Sequence, residues 1–294
     1  MRLLVTLILS GLVFGVGAPA GAQTSERALY VSVIDRNGEP VTGLEADRFR
    51  VTEDGQTREV LRATQTTDRL DLAVIVDNSF AAQPTIQDLR RGLTPFVTRL
   101  ASAGHSLAII GLADRPTVLQ DYTTSSEALE RAVNRVFAQP GAGTVFQDAI
   151  ADVAKGLEKR EAPRRAVLII TSEGTDFSNV PYQRTLEALK DTGAALHAFV
   201  FTGRGGAAIG SQQGRERALV IDQGTRDTGG RREELLTSMA LGESLSRLAA
   251  EIEQQYEVVY ARPAALIPPK KVAVQVEGAG LEARGTPART EGGS

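Results

Sequence analysis

Residues 72–76 read Leu-Ala-Val-Ile-Val and stop at Asp77. A continuous apolar run of this kind, rich in β-branched residues, marks a strand buried on both faces, and such strands belong to parallel sheets covered by helices. A sheet with one wet face would show alternation instead. The run ends on a carboxylate, and the hydroxyl of Ser79 follows two residues later. Two oxygen donors therefore stand at the carboxyl end of a central strand, the edge at which open α/β sheets bind their ligands. The expected fold class is α/β, with a doubly wound, mostly parallel sheet.

The rhythm of the chain from residue 71 to about 202 agrees with that expectation. Apolar residues at Ile86, Leu89, Leu93, Phe96, Val97 and Leu100 predict an amphipathic helix over 84–103, with Gly104 at its end. A second buried strand is predicted at 107–112 and a short edge strand at 117–121. Ser125 or Ser126 caps a helix running to about Phe137, followed by the turn Gly141-Ala-Gly-Thr144. A helix over 145–159, a strand over 166–170, a helix from Pro181 to about 191 and a strand over 195–201 complete the alternation. Residues 203–232, rich in Gly and Arg, predict a mobile loop with one short element near 218–221. Residues 233–255 predict one long helix striped by Leu235, Leu236, Met239, Leu245, Leu248 and Ile252.

Short strands flank this core. Residues 28–34, 49–53 and 58–63 read as strands separated by turn signals at Asn37-Gly38 and Asp54-Gly55. Strands are also predicted at 256–260 and 271–276, with a third candidate at 281–283. Three short strands seldom form a stable sheet alone, so both ends of the chain are expected to share one small flanking β unit. The expected division is a signal peptide at 1–22, an N-terminal β segment at 23–66, the α/β domain at 67–255, a C-terminal β segment at 256–283 and a disordered tail at 284–294.

Met1-Arg2, a mostly apolar stretch over 3–16 and Ala20-Gly21-Ala22 before Gln23 have the pattern of a secretory signal peptide cleaved after Ala22. No further candidate span follows, so a secreted or periplasmic protein without a membrane span is expected after cleavage. The 294 residues contain no Cys, so no disulfide supports the fold. A net charge of -3, 5% aromatic residues and no Trp argue against nucleic acid as the partner. With two His and no Gly-x-Ser-x-Gly, His-Glu-x-x-His or Gly-x-x-x-x-Gly-Lys motif, hydrolytic and phosphoryl-transfer machinery has no support. His105, after a helix-ending Gly, is expected to be exposed, and His197, inside a predicted buried strand, to be a core residue.

The sequence Asp77-Asn-Ser79-Phe-Ala81 resembles Asp-x-Ser-x-Ser, the first motif of the metal-ion-dependent adhesion site in von Willebrand factor type A domains. Ala81 departs from it. Residues 33–44 (Val-Ile-Asp-Arg-Asn-Gly-Glu-Pro-Val-Thr-Gly-Leu) and 49–55 (Phe-Arg-Val-Thr-Glu-Asp-Gly) resemble the lead-in of a bacterial, acidobacterial-type group related to that family. So do Thr228-Gly229-Gly230 and Ile252-Glu-Gln-Gln-Tyr256, and the resemblance spans nearly the whole mature chain. It implies a site built from hydroxyls of the first motif, a Thr of a second loop and an Asp of a third, holding Mg²⁺ or another divalent cation. Asp77, Ser79 and Thr144 match. Glu173, beside Gly174, takes the third-loop place, although a gapless count would select Ser172. Asp176 and Asp148 are secondary candidates.

The resemblance also implies a protein partner that offers a carboxylate to the ion, and no enzymatic reaction. Two alternatives stand beside it: a metal-independent scaffold with a relic site, and a hydrolase using metal-bound water, which lacks an evident base. Without metal, Asp77 and Thr144 have structural readings as loop anchors or helix caps. The Arg cluster of Arg204, Arg215, Arg217, Arg226, Arg231 and Arg232 reads as a solvated loop or, through Arg204, Arg231 and Arg232, as a partner-binding surface.

Overall fold

The computed structural model describes residues 24–172, 176–202, 211–264, 267 and 269–288. The expected signal peptide, Glu173, Arg204 and residues 289–294 lie outside the described residues. Among the described residues no helix is long and apolar enough to cross a membrane.

The chain opens with β1 (Thr24–Ile34), β2 (Phe49–Glu53), β3 (Gln56–Arg58) and β4 (Val60–Gln65). It then enters β5 (Leu70–Asp77), buried along its whole length as its unbroken apolar run requires. Helix α1 (Ile86–Ser102) turns its apolar stripe onto one face of the sheet, and β6 (Ser106–Leu112) and β7 (Pro116–Thr123) follow. Helix α2 (Ser126–Asn134) is capped by Ser125, whose hydroxyl accepts from Ala128 N–H. Next come α3 (Phe146–Glu158), β8 (Arg164–Ser172), α4 (Tyr182–Thr192) and β9 (Ala195–Phe201).

Six strands form the central sheet in the order β10-β9-β8-β5-β6-β7, where β10 is Arg232–Leu235. All neighbours run parallel except the edge strand β7. The chain leaves β5 for β6 on one side and later returns to β8 on the other. The carboxyl end of β5 is thus the point at which the winding reverses, where the two flanking loops diverge and open a crevice. One face of the sheet is covered by α1, α2 and α6 (Leu241–Glu253), through residues such as Leu93, Leu129 and Leu245. The other is covered by α3, α4 and α5 (Gln212–Asp227), through residues such as Phe146, Leu189 and Val220.

The segment expected as a mobile loop is largely α5. Ser211 caps it by accepting from Gly214 N–H at 3.0 Å. Its buried face carries Arg217, Gly224 and Thr225 beside Val220 and Ile221, so hydrophobic periodicity understates it. The long helix expected over 233–255 divides into β10 and α6. Leu235 is buried in β10 beside β9, while Leu236 and Met239, counted in the expected stripe, are 85% and 79% exposed.

The flanking unit joins both ends of the chain. Its larger sheet has the order β13-β1-β11-β4, with β11 (Tyr256–Pro263) and β13 (Glu282–Pro287) both antiparallel to β1. Its smaller sheet is β12-β2-β3, with β12 spanning Val272–Val276. Leu29, Val31, Phe49, Val51, Tyr256 and Val258 form the core between them. Residues 284–287, expected as disordered tail, belong to β13, where pairing with β1 satisfies their backbone groups. The unit is fastened to the α/β domain by polar contacts. Buried Arg164 donates to the carbonyls of Asp68 and Ile252 at 2.9 and 2.6 Å and to Gln255 Oε1 at 2.7 Å. Arg284 of β13 pairs with buried Glu251 at 2.7 Å.

Candidate functional site

Three loops meet at the carboxyl end of the central sheet. The first follows β5. Asp77 Oδ1 accepts from Ser79 N–H at 3.0 Å, which turns the chain immediately after the strand. Asp77 Oδ2 accepts from Thr171 Oγ1 at 3.1 Å, from Ser172 N–H at 3.0 Å and from Ser172 Oγ at 2.8 Å. Parallel register puts Val76 opposite Ile170, so the ends of β5 and β8 lie side by side and the carboxylate bridges them.

The second loop carries Thr144. Phe80 N–H donates to Ala142 O at 3.0 Å, Gln139 N–H to Asn78 O at 2.8 Å, and Asn78 Nδ2 to Phe137 O at 3.1 Å. These bonds hold the first and second loops together. Thr144 bridges to Asp176 of the third loop in parallel fashion, and Phe177 N–H donates to Thr144 O at 2.7 Å. The Phe177 ring lies over Gly143, where a Cβ would come within 2.3 Å of it.

The two secondary candidates serve the loops. Asp176 is buried, and its Oδ1 accepts from Phe146 N–H at 2.9 Å and from Ser178 N–H at 3.1 Å. It supplies from the third loop the helix cap that Val145, with no side-chain cap bond, does not provide for α3. Asp148, in the first turn of α3, accepts from the N–H groups of Asn179 at 3.0 Å and Val180 at 2.8 Å.

Ser79 Oγ is different. It is buried and has no hydrogen-bond partner. Buried hydroxyls are ordinarily satisfied, so an orphan calls for an explanation such as a ligand. Ser79 and Thr144, two buried hydroxyl residues, and the Asp77 carboxylate offer only oxygen donors, the type that a hard cation takes while retaining part of its water. Ala81 adds no hydroxyl and is exposed. Among the described residues no group of three His, Cys, Asp or Glu could hold a metal ion, so the set depends on hydroxyls.

Sequence reading missed Thr171 and Arg217, and gave Ser172 only as the result of a gapless count. Arg217 is buried rather than solvated. Its Nη2 donates to Thr171 Oγ1 and, at 2.5 Å, to Ser172 O, while the guanidinium lies 4.7 Å from the Phe146 ring centroid. It brings positive charge to the strand end that Asp77 grips. No local signal in a Gly- and Arg-rich stretch distinguishes it. Arg231 is not solvated either, while Arg232 is exposed on β10 rather than in a loop. Arg231 pairs with Glu233 at 2.7 Å with its side chain 13% exposed, and Arg232 pairs with Asp222 and Glu234.

His197 is buried, as expected, and accepts from Arg231 N–H through Nδ1 at 3.1 Å. Burial lowers its pKa to about 4. His105 is buried, contrary to expectation, because its Nδ1 accepts from Leu70 N–H at 3.3 Å at the start of β5. Burial lowers its pKa to about 4 as well.

Residues 72–175 match the family model of the von Willebrand factor type A domain. Among solved structures, the PilB minor pilin from Streptococcus sanguinis has a similar fold, with a TM-score of 0.51 and 13% identity over 65% of this chain and 63% of the pilin. The von Willebrand factor type A protein from Catenulispora acidiphila has a TM-score of 0.50 and 12% identity over 92% of this chain and 74% of that protein. Proximal thread matrix protein 1 from the mussel byssus has a TM-score of 0.50 and 14% identity over 73% of this chain and 50% of that protein. The match spans less than two thirds of the length of the pilin and half that of the matrix protein. No curated protein sequence matches the chain.

Proposed function

We propose that this chain, which carries a von Willebrand factor type A domain at residues 72–175, is an exported protein-binding module. Its partner docks on the loops at the carboxyl end of the central sheet. Ser79, Thr144 and Asp77 hold a divalent cation there, with Glu173 as a further ligand. The cation supplies a positive centre that a carboxylate of the partner completes, and binding rather than turnover is the function. Asp176 and Asp148 keep the second and third loops in place.

The observation that carries this reading is the buried, unpartnered hydroxyl of Ser79. The test is thermal unfolding of the purified chain with EDTA or with Mg²⁺, Mn²⁺ or Ca²⁺, beside Ser79→Ala. An ion that binds only the folded chain adds about 2.7 kcal/mol at a hundred times its Kd. A rise that Ser79→Ala abolishes supports the site.

A second reading, a metal-independent binding module, is favoured by Arg217. Its buried guanidinium reaches the strand end that Asp77 bridges, so a fixed positive charge stands there without a metal. No shift with any ion at millimolar concentration selects this second reading.

A further inference from the structure

Eight phenylalanines fall among the described residues, and their burial divides them sharply. Phe49, Phe96, Phe146, Phe199 and Phe201 are buried in the cores. Phe80, Phe137 and Phe177 are 57%, 62% and 60% exposed. All three exposed rings belong to the loops of the candidate site. Phe80 follows Ser79 and is tied to Ala142. Phe137 is held through its carbonyl by Asn78. Phe177 follows Asp176, is tied to Thr144 and lies over Gly143.

Single exposed apolar residues are ordinary, but a group of them around a polar centre marks an interaction surface. Aromatic side chains are also the ones that anchor protein interfaces. The rim carries fixed positive charge too. Arg90 places its guanidinium 4.1 Å from the Phe137 ring centroid, and its Nε donates to Val136 O at 2.9 Å. A cation held against an aromatic face suits a ligand that is acidic at one point and apolar beside it.

We propose that Phe80, Phe137 and Phe177 form an aromatic rim around the Ser79–Thr144 site, and that this rim takes a polypeptide segment with an apolar side chain next to a carboxylate. The carboxylate is drawn to the site and to Arg90, and the apolar side chain packs among the rings. The rim determines which acidic segments bind. This rests on the reading that the loop end of the sheet binds protein, and packing among the rings adds a specificity beyond that of the ion.

The test is selection of phage-displayed random peptides on the purified chain, followed by anisotropy titrations of the enriched peptides. The variants are Phe80→Ser, Phe137→Ser, Phe177→Ser, Ser79→Ala and, as a control, Leu61→Ser. Leu61 is an exposed residue on β4 in the flanking unit. Because the altered Phe and Leu side chains are exposed and the buried Ser79 hydroxyl makes no hydrogen bond, thermal unfolding should show folded variants. Enriched peptides are expected to pair Leu, Phe or Trp with Asp or Glu. Their affinity should fall about tenfold or more in the Phe variants and stay unchanged in Leu61→Ser.

Enrichment of no such class overturns the proposal. Peptides weakened by Ser79→Ala but by none of the Phe variants overturn the rim while leaving the protein-binding site intact. Peptides weakened by neither overturn both. Concentration-dependent self-association that the Phe variants abolish would make a second copy the occupant and overturn the assignment to an acidic peptide.

Discussion

Ser172 donates both its backbone N–H and its hydroxyl to one oxygen of Asp77, at 3.0 and 2.8 Å. The last residue of β8 thereby closes around the last residue of β5 and joins the two strand ends from which the first and third loops leave. Whatever else Asp77 does, it is the joint of the site.

Asp77→Ala removes the acceptor for Ser172 and Thr171 and leaves buried donors unpaired. Urea unfolding should show a loss of about 3 kcal/mol without added metal. Ser79→Ala removes a hydroxyl that has no partner and should change stability by less than about 0.5 kcal/mol. Comparable losses in the two variants would contradict this division of roles.

Arg217 and Arg226 sit on the same helix in opposite circumstances. Arg217 is buried against Thr171 and Ser172. Arg226 pairs with Asp227 in solvent, with side chains 69% and 65% exposed. Arg217→Ala should cost about 3 kcal/mol in a urea titration, and Arg226→Ala less than about 0.5 kcal/mol. Equal effects would refute the placement of Arg217 beneath the loops.

Acid should weaken the fold through its two histidines. Their folded-state pKa values, each about 4, lie below the ordinary 6.5 because burial disfavours the charged form. The unfolded chain therefore binds the proton more readily. The contribution is complete above about pH 6.5 and is lost as the pH falls toward 4. For His197 the loss is on the order of 3 kcal/mol. His197→Asn, whose side-chain oxygen can still accept from Arg231 N–H, should flatten the fall of the urea midpoint between pH 6.5 and 4.5. An unchanged slope would show that His197 does not drive it.

Gly230 packs where no side chain fits, since a Cβ would lie 1.8 Å from the Leu196 carbonyl oxygen. The obstacle is backbone within β9, which has no rotamer by which to yield. Gly230→Ala should cost about 3 kcal/mol or more by urea or thermal unfolding. Gly143→Ala meets only the movable ring of Phe177 and should cost about 1 kcal/mol or less.

The amino-acid sequence determined the central sheet, because strands buried on both faces must be apolar throughout and β5 is. It located the crevice as well, since the carboxyl end of such a strand at a winding reversal is a consequence of topology. Asp77 and Ser79 could be placed at that edge because they follow a recognisable strand, whereas Thr144 was singled out only by the family resemblance of its loop. The shared β unit was legible from unpaired strands at both ends.

Helix α5 was legible only as a short element near 218–221, because its inward face carries Arg217, Gly224 and Thr225 beside Val220 and Ile221, and the short β10, with Leu235 its buried residue, was read as the start of a helix. Local pattern reports burial only when burial is hydrophobic. The ring of Phe80, Phe137 and Phe177 was invisible for a related reason. In the sequence an apolar residue reads as core, and Phe137 was expected as the end of a helix. Only the tertiary structure decides which apolar side chains find a partner and which are left facing solvent, because that depends on the backbone contacts that draw three distant loops to one point.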